Sequence, residues 1–240
     1  MSQPTNDEDE ILKRLEAFED RLETLEKQRV NLVIPYLTLR TTIGILGMSL
    51  PFIVFLGAMA FYQTGLQNSI SAYYYTGMRD VLVGLFWAIG IFLFSYRGYD
   101  RTDDIAGKLA CVFSIGVALF PTTPSSPAEP ESIITGVVHS VFAGLLFLTL
   151  SYFSIFLFTK TNPKIPPTPR KLQRNFVYRV CGYTIILCFL LIPVYTYLLS
   201  SDIVSRIAPL RPIFWLESFA IFAFGISWFT KGEGTLRDLP

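Results

Sequence analysis

Four ionisable side chains lie at similar depth near the same ends of long apolar runs. Arg79 and Asp80 open one run, His139 lies about two turns into another, and Glu217 more than one turn into a third. A charge at the centre of a bilayer costs at least ~2.5 kcal/mol, so such a residue is a functional hypothesis by default. His139 is the single histidine of the chain. A histidine near two carboxylates has the parts for general-base chemistry, or for holding a proton, a cation or a lipid head group. Ser71 and Tyr74, just before Arg79, add hydroxyls to the same layer. The structural alternative pairs Arg79 with Glu217 and gives His139 a hydrogen-bonded neighbour, so that the cluster only locks helices together. Residue types alone leave both open, and they single out no catalytic set. Cys111, Cys181 and Cys188 all fall in apolar runs with no CxxC or Cys/His cluster, so neither a metal nor a cofactor is expected.

The elements that must position these groups follow from hydropathy. Of 240 residues 51% are hydrophobic and 16% charged, against roughly a quarter charged in a soluble domain; the mean hydropathy is +0.45. A spanning helix needs about 20 mostly apolar residues. Runs at 42–62, 81–96, 105–120, 133–158, 177–199 and 212–230 fit, the second and third being short. The expected fold class is therefore all-α, a polytopic membrane bundle of six transmembrane helices. Small residues recur in these runs, and Gly84 and Ala88 have the spacing that lets two helices approach. Pro51 and Pro193 lie inside runs and predict kinks with freed carbonyls.

Positive charge orients the bundle. Arg97 and Arg101 lie in the second loop and Lys160, Arg170, Lys171 and Arg174 in the fourth, whereas the third loop has no Lys or Arg. These six basic residues are candidate contacts for anionic lipid, and they predict cytoplasmic N- and C-termini in a multi-pass inner-membrane protein. Asp100, Asp103 and Asp104 lie among them and predict Arg–Asp pairing within that loop. Tyr73, Tyr74, Tyr75, Trp215 and Trp228 read as interfacial aromatics. A net charge of +1 gives no reason to expect nucleic acid as a partner.

Before the first run the chain is helical by propensity from Glu8 to about Val33. Ile11, Leu15, Phe18, Leu22, Leu25 and Leu32 follow gaps of four and three, with Arg29 in one slot. That is heptad spacing. It predicts a cytoplasmic coiled coil that joins copies of the chain, or an amphipathic helix laid on its own loops or on the inner lipid surface; its acidic character disfavours lipid. The expected organisation is a cytoplasmic helix at 1–36, a six-helix transmembrane domain at 37–231 and a cytoplasmic tail at 232–240.

The order of several segments is familiar. Residues 69–76 (SISAYYYT) followed by Arg79, Asp80 and Gly84, then Gly98 to Asp100 with Asp103 and Asp104, then 117–122 (VALFPT) and His139, resemble bacterial six-helix membrane proteins of the domain-of-unknown-function-998 type. The resemblance covers about residues 40 to 230 and implies fold and topology; the family carries no established activity. Zinc hydrolases of the ceramidase and progestin-receptor kind need three histidines, which this chain lacks. Without a Gly-Lys-Ser/Thr phosphate loop, ATP-driven pumping is also disfavoured. Three functions remain: a homo-oligomeric channel or membrane effector, a lipid-binding membrane protein, and a membrane-embedded hydrolase using His139 and nearby carboxylates.

Overall fold

The computed structural model describes residues 6–124, 129–161, 164 and 166–236, without the side chains of 6–10, 12 and 28–35. The chain is all-helical across these residues and divides into two units, Met1–Thr38 and Leu39–Pro240. Helix α1 runs Asn6–Tyr62 without the break expected near residue 33. No glycine precedes Gly44, so nothing supplies the left-handed cap that ends most helices. In the first unit Ile11, Leu15, Phe18, Leu22 and Leu25 are each about half exposed. Lys27 pairs with Glu23 at 2.6 Å, one turn apart on the open surface, which is worth about 0.3–0.5 kcal/mol. The side chains of Arg29 and Leu32 lie outside the described residues.

The second unit corrects the expected count of spans. Four helical stretches are long and apolar enough to cross a membrane: Tyr36–Tyr62, Pro130–Leu157, Pro169–Leu198 and Pro212–Lys231. The other two candidates fail for different reasons. Helix α2, Arg79–Ser95, has 17 residues and reaches about 25 Å, short of the ~30 Å hydrocarbon core. Helix α3, Arg101–Leu119, carries Asp103, Asp104 and Lys108 in its first half. The protein is thus a multi-pass membrane protein with four candidate spans. The pair α2–α3 leaves one end of the bundle and returns to it, so it does not alter the alternation of the other helices.

Close backbone approach holds the first and last spans together. Helix α7, Pro212–Lys231, runs antiparallel to α1. A Cβ on Gly44 would stand 2.5 Å from the Phe229 nitrogen, and one on Gly225 2.6 Å from that of Met48. Only glycine fits either position. Thr41 closes the same seam by donating to the Gly232 carbonyl at 3.1 Å. Gly84, expected to serve this purpose, faces open space. Helix α4, Pro130–Tyr152, and the π turn Phe153–Leu157 that continues it meet α7 through a Ser154–Ser227 hydroxyl contact of 2.8 Å. Helix α5, Pro169–Pro193, also ends in a π turn, Val194–Leu198, because proline removes one donor from the ladder. A short α6, Ser201–Ile207, leads back to α7.

The bundle has two polar ends. At the first, α2, α4 and α7 begin around a 3-10 turn, Ser71–Tyr75. At the second, α2 and α7 finish and α3 and α5 begin. Trp228, expected at the interface, is wholly buried at the second end among Tyr96, Phe153 and Phe158, with ring centroids 5.0–5.4 Å away. Tyr73 is buried as well, while Tyr75 is exposed.

Candidate functional site

The first end is organised by Glu217. Its carboxylate accepts the backbone N–H of Ile70 at 2.6 Å and that of Ser71, which pins the start of the 3-10 turn against α7. The Phe214 N–H reaches across to the Asn68 carbonyl at 3.0 Å. With the turn fixed, the Ser71 Oγ lies 3.0 Å from His139 Nε2. The other ring nitrogen, Nδ1, lies 2.6 Å from the Phe120 carbonyl oxygen. A carbonyl only accepts, so Nδ1 carries the hydrogen; the neutral imidazole then accepts at Nε2, and the Ser71 hydroxyl donates to it.

Arg79 does not pair with Glu217. Its guanidinium donates to the Tyr74 hydroxyl at 2.8 Å and stacks 4.4 Å from that ring. Asp80 is exposed. The expected layer therefore separates into an inner set (buried Ser71 and His139 with half-buried Glu217), an outer pair (Tyr74, Arg79) and an outlying Asp80. Ser71 lines two small cavities. One of about 40 Å³ runs down the bundle axis between Glu217 and apolar side chains such as Leu50, Leu146 and Phe224. The other, about 10 Å³, also touches Tyr74 and His139.

The second end is built from charge. Asp100 caps α3 by accepting from the Thr102 and Asp103 N–H groups at 2.9 and 3.3 Å. Lys160 bridges Asp103 at 2.6 Å and Asp100 at 3.0 Å. The Tyr96 hydroxyl reaches Asp103 at 3.4 Å. Asp103 has no exposed surface. The Lys160 ammonium holds the Asp100 carboxyl down at about 2. Partial desolvation opposes the charge on Lys160, but its two aspartates win and raise it above the usual lysine range. The pairing expected inside this loop is thus mostly drawn away to Lys160; Arg97 stands 4.0 Å from Asp104.

Beside this pair, four more cations converge from three helices around a ring of aromatics. Arg40 of α1 lies over Tyr96 at 5.4 Å. Lys171 of α5 donates to the Phe158 carbonyl at 2.8 Å, and Arg174, one turn on, donates to that of Leu236 at 3.2 Å. Lys231, the last residue of α7, stands 5.1 Å from the Tyr99 ring and 5.3 Å from Phe158. Arg40, Lys171 and Arg174 all lie within electrostatic reach of the Lys231 ammonium and oppose its charge. Lys231 and Arg174 are 7% and 9% exposed, which is unusual for residue types that normally reach solvent. Among the described residues Lys231 makes no hydrogen bond and no ion pair; its two ring contacts and the nearby Asp103 carboxylate favour its charge.

Of the six basic residues singled out by sequence, only Lys171 and Arg174 belong to this cluster. Lys160 is committed to the aspartates, half-buried Arg170 donates to Gln173 at 3.2 Å, and Arg97 and Arg101 are exposed. Arg40 and Lys231 were missed. Each terminates an apolar run, where a cation reads as a topology signal. Among the described residues no group of three or more His, Cys, Asp or Glu side chains is placed to hold a metal.

The class defined by these observations is an all-helical, multi-pass membrane protein with a neutral hydrogen-bonded site at one end and a cationic one at the other. No family model, curated protein or solved structure matches the chain. The resemblance to the domain-of-unknown-function-998 type rests on the residues quoted above.

Proposed function

We propose that the protein binds an anionic lipid, with the head-group phosphate held by Arg40, Lys171, Arg174 and Lys231. The observation that carries this reading is the convergence of four cations, two of them more than nine-tenths buried, at a bundle end where lipid head groups lie. Cations brought this close repel one another, and an added anion is attracted by all four at once. A phosphate offers several acceptor oxygens to arginine forks and lysine ammonium groups at once. The aromatic ring around the site supplies apolar walls for the glycerol and first acyl carbons. Positive charge in the flanking loops puts this end on the cytoplasmic side, where anionic lipid is recruited.

Thermal stability in an uncharged detergent tests the reading. Phosphatidylglycerol is expected to raise the melting temperature and phosphatidylcholine to do so much less. Inorganic phosphate alone distinguishes a free-anion site from a lipid site. Arg174→Gln with Lys231→Gln is expected to remove the phosphatidylglycerol effect. Equal stabilisation by both lipids, or an effect unchanged in the double variant, contradicts the assignment.

A separate observation supports self-association. The half-exposed stripe Ile11, Leu15, Phe18, Leu22 and Leu25 has heptad spacing, which a second copy of the same helix covers most naturally. The bundle axis of one chain is packed with apolar side chains, so a channel would have to form between copies. The detergent-corrected molar mass, measured with and without residues 1–35, decides this: a mass several times 27.1 kDa that falls on truncation supports it, and a monomer in both forms removes it.

A further inference from the structure

The first end of the bundle carries an arrangement that lipid binding at the second end does not use. Ser71 donates to His139 Nε2, and the opposite nitrogen of the ring is fixed by the Phe120 carbonyl. A nucleophile, a base within hydrogen-bond reach and a third group that sets the tautomer of the base are the three parts of an activated hydroxyl. We infer that Ser71 and His139 form a nucleophile–base dyad that cleaves the ester of a short-chain acyl group.

Three features of the surroundings favour chemistry over a helix-locking contact. The Ser71 backbone is held independently by Glu217, which reaches it from α7. The Ser71–His139 bond is therefore not needed to dock the turn. Next, Ser71 lines both cavities of this end, and the larger of them lies clear of His139. Tyr74 lines the smaller cavity, and its hydroxyl oxygen already accepts from the Arg79 guanidinium. Its own hydrogen is left to donate, and the adjacent positive charge strengthens it as a donor to an oxyanion. Tyr74 is then the oxyanion donor and Arg79 its positioning residue.

The reaction balances without any added oxidant or reductant. The Ser71 Oγ bonds to the ester carbonyl carbon as its proton moves to His139 Nε2, and the carbonyl oxygen becomes an oxyanion facing Tyr74. Collapse breaks the bond to the alcohol oxygen, which takes the proton from Nε2. Water then gives a proton to Nε2 and bonds to the acyl carbon; release of Ser71 returns that proton to Oγ. The substrate class follows from the larger cavity. Its lining is apolar apart from Ser71 and Glu217, and 40 Å³ accommodates about three water-sized groups. That suits an acetyl to butyryl group and excludes a long acyl chain.

The test uses the full chain in an ester-free maltoside detergent, with a fluorophosphonate probe and the p-nitrophenyl esters of acetate, butyrate and laurate. The expected result is a covalent adduct at Ser71, mapped by mass spectrometry, and hydrolysis of acetate and butyrate at least about 10-fold faster than of laurate. His139→Gln, whose amide can still donate to the Phe120 carbonyl, is expected to slow labelling about 100-fold or more. Ser71→Ala abolishes it, whereas Lys13→Gln, on the exposed surface of α1, leaves it unchanged. Folded wild-type protein that shows no adduct at Ser71, or His139→Gln labelled at the wild-type rate, overturns the dyad.

Discussion

At the end where α2, α4 and α7 begin, a serine, a histidine and a carboxylate are satisfied by backbone groups and by one another, and no cation enters the buried set. At the opposite end one aspartate is neutralised by Lys160, and four further cations crowd around a handful of rings. Both ends meet the same difficulty, polar side chains packed among apolar helices. The first meets it with directional hydrogen bonds to backbone groups and without a cation, and it fixes two atoms in a reactive relation. The second gathers four cations within reach of one another and of the buried Asp103. A directional hydrogen-bonded cluster is suited to chemistry on a neutral group, and a gathering of cations to capturing an anion. Burial alone does not distinguish the two.

The contrast predicts different responses to substitution. The largest effect is expected at the charged end. Lys160→Met leaves Asp103 buried with only a distant tyrosine hydroxyl, at a cost of about 3 kcal/mol, whereas Asp103→Asn, which leaves Lys160 with Asp100, is expected to cost less. Chemical or thermal unfolding in detergent reads both, and equal losses would mean that the pair is not effectively buried. At the neutral end, Glu217→Gln keeps the shape but gives up a charged acceptor for the Ile70 and Ser71 N–H groups; a loss of about 2 kcal/mol is expected. If it costs nothing, Glu217 does not hold the turn.

Smaller still, and opposite in sign, is the effect of Lys231→Met. Relieving repulsion from Arg40, Lys171 and Arg174 is expected to stabilise the lipid-free protein by about 1 kcal/mol, while reducing the gain from phosphatidylglycerol. A variant destabilised under both conditions would show that Lys231 is already balanced within the protein. The smallest change is with pH. Asp100 is lowered on folding, so its contribution is complete above the usual carboxylate range near pH 4 and is lost as pH falls toward about 2. Wild type is expected to lose stability more steeply than Lys160→Met across that window, and parallel curves would separate Asp100 from Lys160.

Much of this was legible in the sequence, but unevenly. Ionisable residues in apolar runs pointed to His139 and Glu217, because hydropathy makes them conspicuous. Their partners did not follow. The pairing of Arg79 depends on Tyr74 being five residues away on a 3-10 turn, a geometry that composition does not reveal. Asp80 shares the layer by depth and yet faces outward, since depth along a helix says nothing about its face. The six expected spans became four because the second and third runs are short: α2 stops at 17 residues, and α3 adds Asp103 and Asp104 to a run that already holds Lys108. Arg40 and Lys231 looked like boundary charges, and only the antiparallel crossing at Gly44 and Gly225 brings them to one end. That crossing was hidden as well, because glycine spacing does not name a partner, and Gly84 shows the same spacing with nothing against it.

Native mass spectrometry of the protein released from membranes containing both phosphatidylglycerol and phosphatidylethanolamine tests anionic-lipid binding most directly. Wild type is expected to retain phosphatidylglycerol selectively, and the Arg174→Gln, Lys231→Gln double variant to lose that selectivity while remaining folded. Retention of the two lipids in proportion to their abundance, or the same selectivity in the double variant, would contradict an anion site built from Arg40, Lys171, Arg174 and Lys231.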